Sequence, residues 1–247
     1  MCINCLSRLL IKISIIITTT KIIVESAFIL GSTPRRVIEK ILIDKAARDN
    51  ELITAIKKSG AHYQFVDKIV LDKMSEGNHQ GFVAIVSEFE YCDLDDITGD
   101  VVLILDGVED PHNLGNIIRT AECMGVAGVI IPKNRSASVT ETVIKVSAGA
   151  TAHMKITKVT NVNHAIEALK KRDYWVYACE LGGTDLVRQN LTGKTAIVMG
   201  GENTGVSSLT RKLCDGVVTI KMHGRVNSLN VANAAAMVLY EVNRQKT

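Results

Sequence analysis

The chain has 247 residues, 47% of them hydrophobic and 22% charged, with a formal net charge of +3. That length allows one large domain or two ordinary ones, and the apolar fraction suffices for a packed core, which excludes wholesale disorder. Aromatic residues are only 4%, which argues against reading nucleic acid mainly by stacking bases on rings, while the small positive charge permits a polyanionic partner without demanding one.

Residues 9–17 are strongly apolar but interrupted by Lys12, and a membrane span needs roughly 20 apolar residues. Residues 1–24 carry Arg8, Lys12 and Lys21, several Ser and Thr, and no acidic residue. An organellar transit peptide has that composition; a mis-assigned start or a buried β-segment explains it equally well. A soluble, cytoplasmic protein is expected, with no membrane partner. Cys2, Cys5, Cys92, Cys123, Cys179 and Cys214 lack the spacing of a disulfide framework and read as free thiols. Cys2 and Cys5 form a lone CxxC without the second pair that a zinc site needs, so no metal is expected.

Strand and helix patterns then alternate. Residues 36–44 (RVIEKILID) read as strand, 50–60 as helix, 63–67 as strand, 67–75 as helix and 82–87 as strand, a compact βαβα-type unit. Residues 88–100 (EFEYCDLDDITGD) are acidic and aperiodic, the best linker candidate. The pattern restarts with 101–106 (VVLILD), a continuous apolar run expected of a strand covered on both faces. Helices are expected at 113–124, 162–172 and 229–243, and strands at 128–132, 154–157, 175–180, 195–200 (TAIVMG) and 217–221. This alternation implies a parallel α/β sheet. Residues 1–98 hold 12 Lys/Arg against 13 Asp/Glu, and residues 99–247 hold 17 against 13. The basic bias of the second part fits a phosphate-bearing substrate, and equally fits ordinary surface lysines.

In open parallel sheets ligands bind beyond the carboxyl ends of the strands, and three strand exits stand out. After 101–106 comes DGVEDPHNLGNIIR, in which Asn113 can cap the next helix and Arg119 can reach toward a site at that end. After 195–200 comes the glycine-rich GGENTG at 200–205, where glycines let a ligand approach the backbone closely. It is neither the dinucleotide pattern GxGxxG nor a Walker sequence, and Glu202 disfavours phosphate there. A ligand with an amine, a hydroxyl or a sulfonium fits better. The third exit, IKMHGRVNSLNVAN at 220–233, gathers Asn227, Ser228 and Asn230 where one helix cap would do.

The three stretches together resemble the motifs of the SpoU (TrmH-type) ribose 2′-O-methyltransferases of the SPOUT superfamily: DGVEDPHNLGNIIRTAECMGVAGVIIPKNRSA the first, IVMGGENTGV the second and IKMHGRVNSLNVANAAA the third. The likeness runs from about Val101 to the end. Upstream, residues 34–86, with Asn78-His79-Gln80-Gly81, resemble the L30e-like RNA-binding domain of the bacterial 23S rRNA guanosine-2′-O-methyltransferases. The tRNA enzyme generally lacks that domain.

The resemblance implies an α/β fold with a C-terminal SPOUT trefoil-knot domain built on a parallel sheet, preceded by a small L30e-like domain. The expected divisions are an atypical segment at 1–24, the RNA-binding domain at 25–88, a linker at 89–100 and the methyltransferase domain at 101–247. It further implies S-adenosyl-L-methionine as cofactor, a homodimer, and RNA, foremost 23S rRNA, as partner. Carried over by motif, Gly200, Ile220 and Leu229 line the methyl-donor pocket, and Asn113, Arg119, Glu202, Ser228 and Asn230 form the catalytic centre. Two departures stand out: Lys221 occupies a usual proline position, and TTTKIIVESAF replaces the family's usual glycine-arginine-asparagine opening. The alternatives are a tRNA 2′-O-methyltransferase and, from another class, a non-catalytic RNA-binding or ribosome-assembly factor. An oxidoreductase is disfavoured by the missing GxGxxG.

Overall fold

The computed structural model describes residues 38–74, 79–86, 89–201, 205–226 and 228–247. The apolar run at 9–17, the CxxC, the transit-like segment, Glu202 and Asn227 lie outside the described residues. The chain divides into two units after Glu90.

In the first unit β1 (Ile38–Asp44) pairs in parallel with β2 (Tyr63–Val66) and antiparallel with β3 (Phe82–Val86). Helix α1 (Asn50–Ser59) starts at Asp49, whose carboxylate accepts the Leu52 N–H, and buries Leu52 and Ile56; α2 (Lys68–Met74) buries Leu71. His79 in the expected NHQG signature is a turn brace. Its Nδ1 accepts the Gly81 N–H at 3.0 Å and its Nε2 lies 2.8 Å from Asp72 Oδ1.

The second unit is a six-stranded sheet in the order β6-β5-β4-β8-β7-β9, every pair parallel. The strands are β4 (Val101–Asp106), β5 (Gly128–Pro132), β6 (Ile156–Val159), β7 (Trp175–Asp185), β8 (Thr195–Gly200) and β9 (Gly216–Thr219). In β4 both alternating sets are buried, as its unbroken apolar run demands. Val102 and Ile104 pack in a cluster with Ile166 and Leu169 of α5 (Val162–Lys170). Helices α3 (Pro111–Cys123) and α7 (Val231–Lys246) pack on each other, and α7 also meets β8.

The acidic stretch expected as linker is, from Tyr91 on, fastened to this second unit. Ile97 is fully buried beneath Gly128, the Cys92 N–H donates to the Ile156 carbonyl, and Arg172 donates to the Leu94 and Ile97 carbonyls. Two short helices carried no recognisable pattern, α4 (Glu141–Val146) and α6 (Ser208–Leu213). Strand β7 outruns its expected end. It leaves β9 after Cys179, loops through Gly182 and Gly183, and pairs with β9 again at Thr184 and Asp185.

Candidate active site

Every strand of the parallel sheet points its carboxyl end to one edge, so the loops singled out in the sequence converge there. The exit of β4 differs from expectation. Asn113 is not the cap of α3; Asp110 is, its carboxylate accepting the His112 N–H at 3.0 Å. Pro111 explains the shift, because proline suits the first helical position and holds its predecessor in extended backbone. Asn113 therefore sits inside the first turn, 7% exposed.

At the far end of the chain Asn230 is the cap of α7, its Oδ1 accepting the N–H groups of Ala232 at 2.9 Å and Asn233 at 3.3 Å. Its other end donates to Asn113 Oδ1 at 3.0 Å. Two asparagines 117 residues apart in sequence thus join α3 to α7. Arg119 is exposed on α3, on the same face as His112, Asn116 and Cys123. Six residues from Asn113, it lies about 9 Å farther along the axis. Arg119 has no hydrogen-bond or ion-pair partner among the described residues.

Beside the asparagine pair lies a cavity of about 410 Å³. Gly200, Ile220 and Leu229, the three residues expected around a donor, all line it, and so does Ser228. Asn230 stands between the lining residues Leu229 and Val231; Arg119 is not on the wall. Sequence reasoning missed Cys179, Glu180 and Leu181 at the exit of β7, together with Met199 and Met222. An acidic residue ending the run WVYACE was the available signal for Glu180. Its Oε1 accepts the Val206 N–H at 2.8 Å, and Oε2 lies 3.5 Å from Arg211 Nε. Burial, reinforced by the neighbouring Glu180 charge, pushes the Cys179 thiol up to about 11.

The glycines serve the protein's own backbone as much as a ligand. A Cβ on Gly201 would overlap the Gly107 carbonyl, and one on Gly200 would overlap Gly205 and Val206. The Gly201 N–H donates to the Asp106 carbonyl and the Gly205 N–H to the Gly201 carbonyl. The exits of β4 and β8 are thereby laced together at the cavity edge. The cavity itself combines apolar walls, exposed glycine backbone and one carboxylate, and its size lies in the range of small-molecule sites. Leu181 and Leu229, 58% and 42% exposed, are apolar surface that a bound ligand would cover. Such a lining suits a cationic, partly apolar molecule better than a phosphate.

Among the described residues no group of three or more His, Cys, Asp or Glu could hold a metal, and no helix is long and apolar enough to cross a membrane.

Comparison with known proteins gives two family matches: the SpoU rRNA methylase family over residues 100–240, and the RNA 2′-O ribose methyltransferase substrate-binding family over residues 24–92. A protein of Staphylococcus saprophyticus assigned to the TrmH family of tRNA/rRNA methyltransferases is 40% identical over 235 residues, covering 90% of this chain and 93% of that one. Among solved structures, the SpoU methyltransferase AviRb of Streptomyces viridochromogenes in complex with AdoMet superposes with a TM-score of 0.80 at 24% identity, covering 92% of this chain and 91% of that one. An AdoMet-bound rRNA methyltransferase of Sinorhizobium meliloti gives 0.77 at 24% identity, over 92% and 88%.

Proposed function

The chain belongs to the SpoU rRNA methylase family of RNA methyltransferases, and we propose that it methylates a ribose 2′-hydroxyl, that of a guanosine in 23S rRNA, with S-adenosylmethionine as donor. One observation carries the reading: Gly200 from one strand exit and Ile220, Ser228 and Leu229 from another line a single cavity, beside the bonded pair Asn113 and Asn230. The substrate-binding family match over residues 24–92 supports an RNA substrate, and the usual lack of such a domain in the tRNA enzyme favours 23S rRNA.

When bound, the sulfonium would supply an activated methyl group to the hydroxyl oxygen, leaving a neutral thioether, and the hydroxyl proton would pass to solvent. The chain's own task is alignment, because a sugar hydroxyl is a poor nucleophile until its proton is partly withdrawn. The glycine backbone and apolar wall hold the donor. Asn113, Asn230 and Ser228 orient the reacting groups. Arg119, exposed and permanently charged, clamps an RNA phosphate and polarises the hydroxyl, and Glu202 steadies this charge. The neutral Cys179 thiol matters as well, since a thiolate on this wall would itself accept a methyl group.

The homodimer and the trefoil knot belong to the same reading. Met237 and Tyr240 of α7 are exposed beside Val187, apolar surface suited to a second copy. The family match over residues 100–240 supports the knot. Unpaired Cys92, Cys123, Cys179 and Cys214 suit a reducing cytoplasm.

The test is tritium transfer from labelled S-adenosylmethionine to unmodified 23S rRNA and, in parallel, to bulk tRNA. Label at a ribose of 23S rRNA is expected. Label in tRNA alone overturns the substrate but keeps the chemistry, and absence of donor binding overturns both.

A further inference from the structure

Strand β4 ends beside a second cavity, of about 360 Å³, at the exits of β4, β5 and β6. The two cavities share Gly205, and Gly107 of the second is in backbone contact with Gly201 of the first. Among the described residues, Gly107, Gly201 and Gly205 form a glycine wall between them.

The lining of this second cavity is a chain of hydrogen bonds that crosses three loops. Asp106 Oδ2 accepts the Ser207 N–H at 3.1 Å, and Ser207 Oγ lies 2.7 Å from Thr210 Oγ1. Thr210 Oγ1 in turn donates to Asn163 Oδ1 at 3.1 Å, and the Asn163 N–H donates to Asn161 Oδ1 at 2.9 Å. Thr210 is 2% exposed, so the network is anchored in the interior. Each link uses one end of a side chain. Asn163 keeps its Nδ2 donors and Asp106 keeps Oδ1 as an acceptor, with no further partner among the described residues. A fixed amide donor beside a carboxylate acceptor is suited to the edge of a heteroaromatic ring.

The charges narrow the choice. Asp106 and Glu109 face a single cation, Arg135, which disfavours a phosphate. A carboxylate oxygen wants N–H groups. Guanine offers N1–H and the N2 amine on one edge, with O6 and N7 as acceptors for an amide donor; adenine offers its single amine and no N1–H.

We propose that this cavity receives the guanine base of the RNA substrate, with Asp106 and Asn163 as the residues that select it, while its ribose 2′-hydroxyl crosses the glycine wall toward the donor cavity. Entry into the cavity takes the base out of its stack. The assignment rests on the RNA 2′-O-methyltransferase reading above, and goes beyond it by naming where and how the base is read.

Two measurements test it separately from that reading. In NMR spectra of the full chain, guanosine monophosphate is expected to shift the Asn163 side-chain amide and the Thr210 amide, whereas adenosine monophosphate leaves them in place. Guanosine monophosphate without effect, or adenosine monophosphate acting equally, overturns the proposal whatever the methylation assay gives. In methyl transfer, Asp106→Asn retains the acceptor for Ser207 but replaces the other oxygen with a donor. It is expected to lower kcat/KM for RNA about tenfold, equivalent to ~1.4 kcal/mol, with donor affinity unchanged, and to remove the preference for guanosine over inosine at the target position. Retained preference in an active variant also overturns it. A selective nucleotide shift in a protein that methylates no RNA upholds the base pocket and sinks the activity instead.

Discussion

Asn230 spends both ends of one carboxamide: its oxygen caps α7 and its nitrogen holds Asn113. Asn230→Asp preserves the cap but sets two acceptors against each other, so thermal stability is expected near the wild type while methyl transfer falls tenfold or more. Asn230→Ala is expected to lose about 1 kcal/mol of stability as well; thermal melts beside the tritium assay separate the two effects. Arg119→Ala should abolish transfer and leave donor affinity within a factor of about 10, or ~1.4 kcal/mol, because its proposed partner is RNA; calorimetric titration of the donor checks this. Cys179, with its thiol raised to about 11, is expected to resist iodoacetamide at pH 8, where exposed Cys123 reacts, and to become reactive as pH approaches 11. Peptide mapping by mass spectrometry reads both. Gly200, Ile220 and Leu229 could be expected together because their motifs were readable, and one cavity gathers them, yet the cap on α3 was misread at Asn113 although the Asp110-Pro111 step was in plain view. Glu180 was missed because a single acidic residue at a strand end has no spacing to mark it.

Short elements escaped the sequence for a physical reason. Helices α4 and α6 have six residues each, under two turns, too few for a 3.6-residue period to emerge. The continuous apolar strands were readable because burial on both faces leaves a run with no polar interruption. The acidic stretch around Ile97 misled for the opposite reason, since its aspartates mask Cys92, Leu94 and Ile97, which pack on the core. Ile97→Ala, which empties a fully buried site, is expected to destabilise the second unit by ~3 kcal/mol, measurable by urea unfolding. Gly201→Ala should cost roughly 3 kcal/mol and disturb the lacing of β4 to β8. Helix α7 carries a pH signature too. Hydrogen bonds from Arg244, then Gln245, hold the buried Glu241 carboxylate down at about 2, below its ordinary 4.5. A depressed carboxylate stabilises the fold above its unfolded value, and that part is lost as pH falls through the folded one. The melting-temperature advantage of wild type over Glu241→Gln is therefore expected to shrink between pH 4.5 and 2.

At the scale of the whole chain, strand alternation made a parallel sheet legible, but not the order β6-β5-β4-β8-β7-β9. Periodicity reports which face of an element is buried; it is silent on which neighbour a strand chooses. Here β8 enters between β4 and β7, so β7 finds its inner partner only after the chain has passed β8. The cavity lined by Gly200, Ile220 and Leu229 continues this lateness. Its walls run from Cys179 to Ala234, and the helix that begins within them is tied down at its far end by Gln245, which donates to the Gln189 carbonyl, and by Lys246, which donates to those of Thr192 and Gly193. Translation delivers these segments after the first unit, and pairings distant in sequence form slowly. A nascent chain therefore presents the first unit well before the segments that wall this cavity have been made.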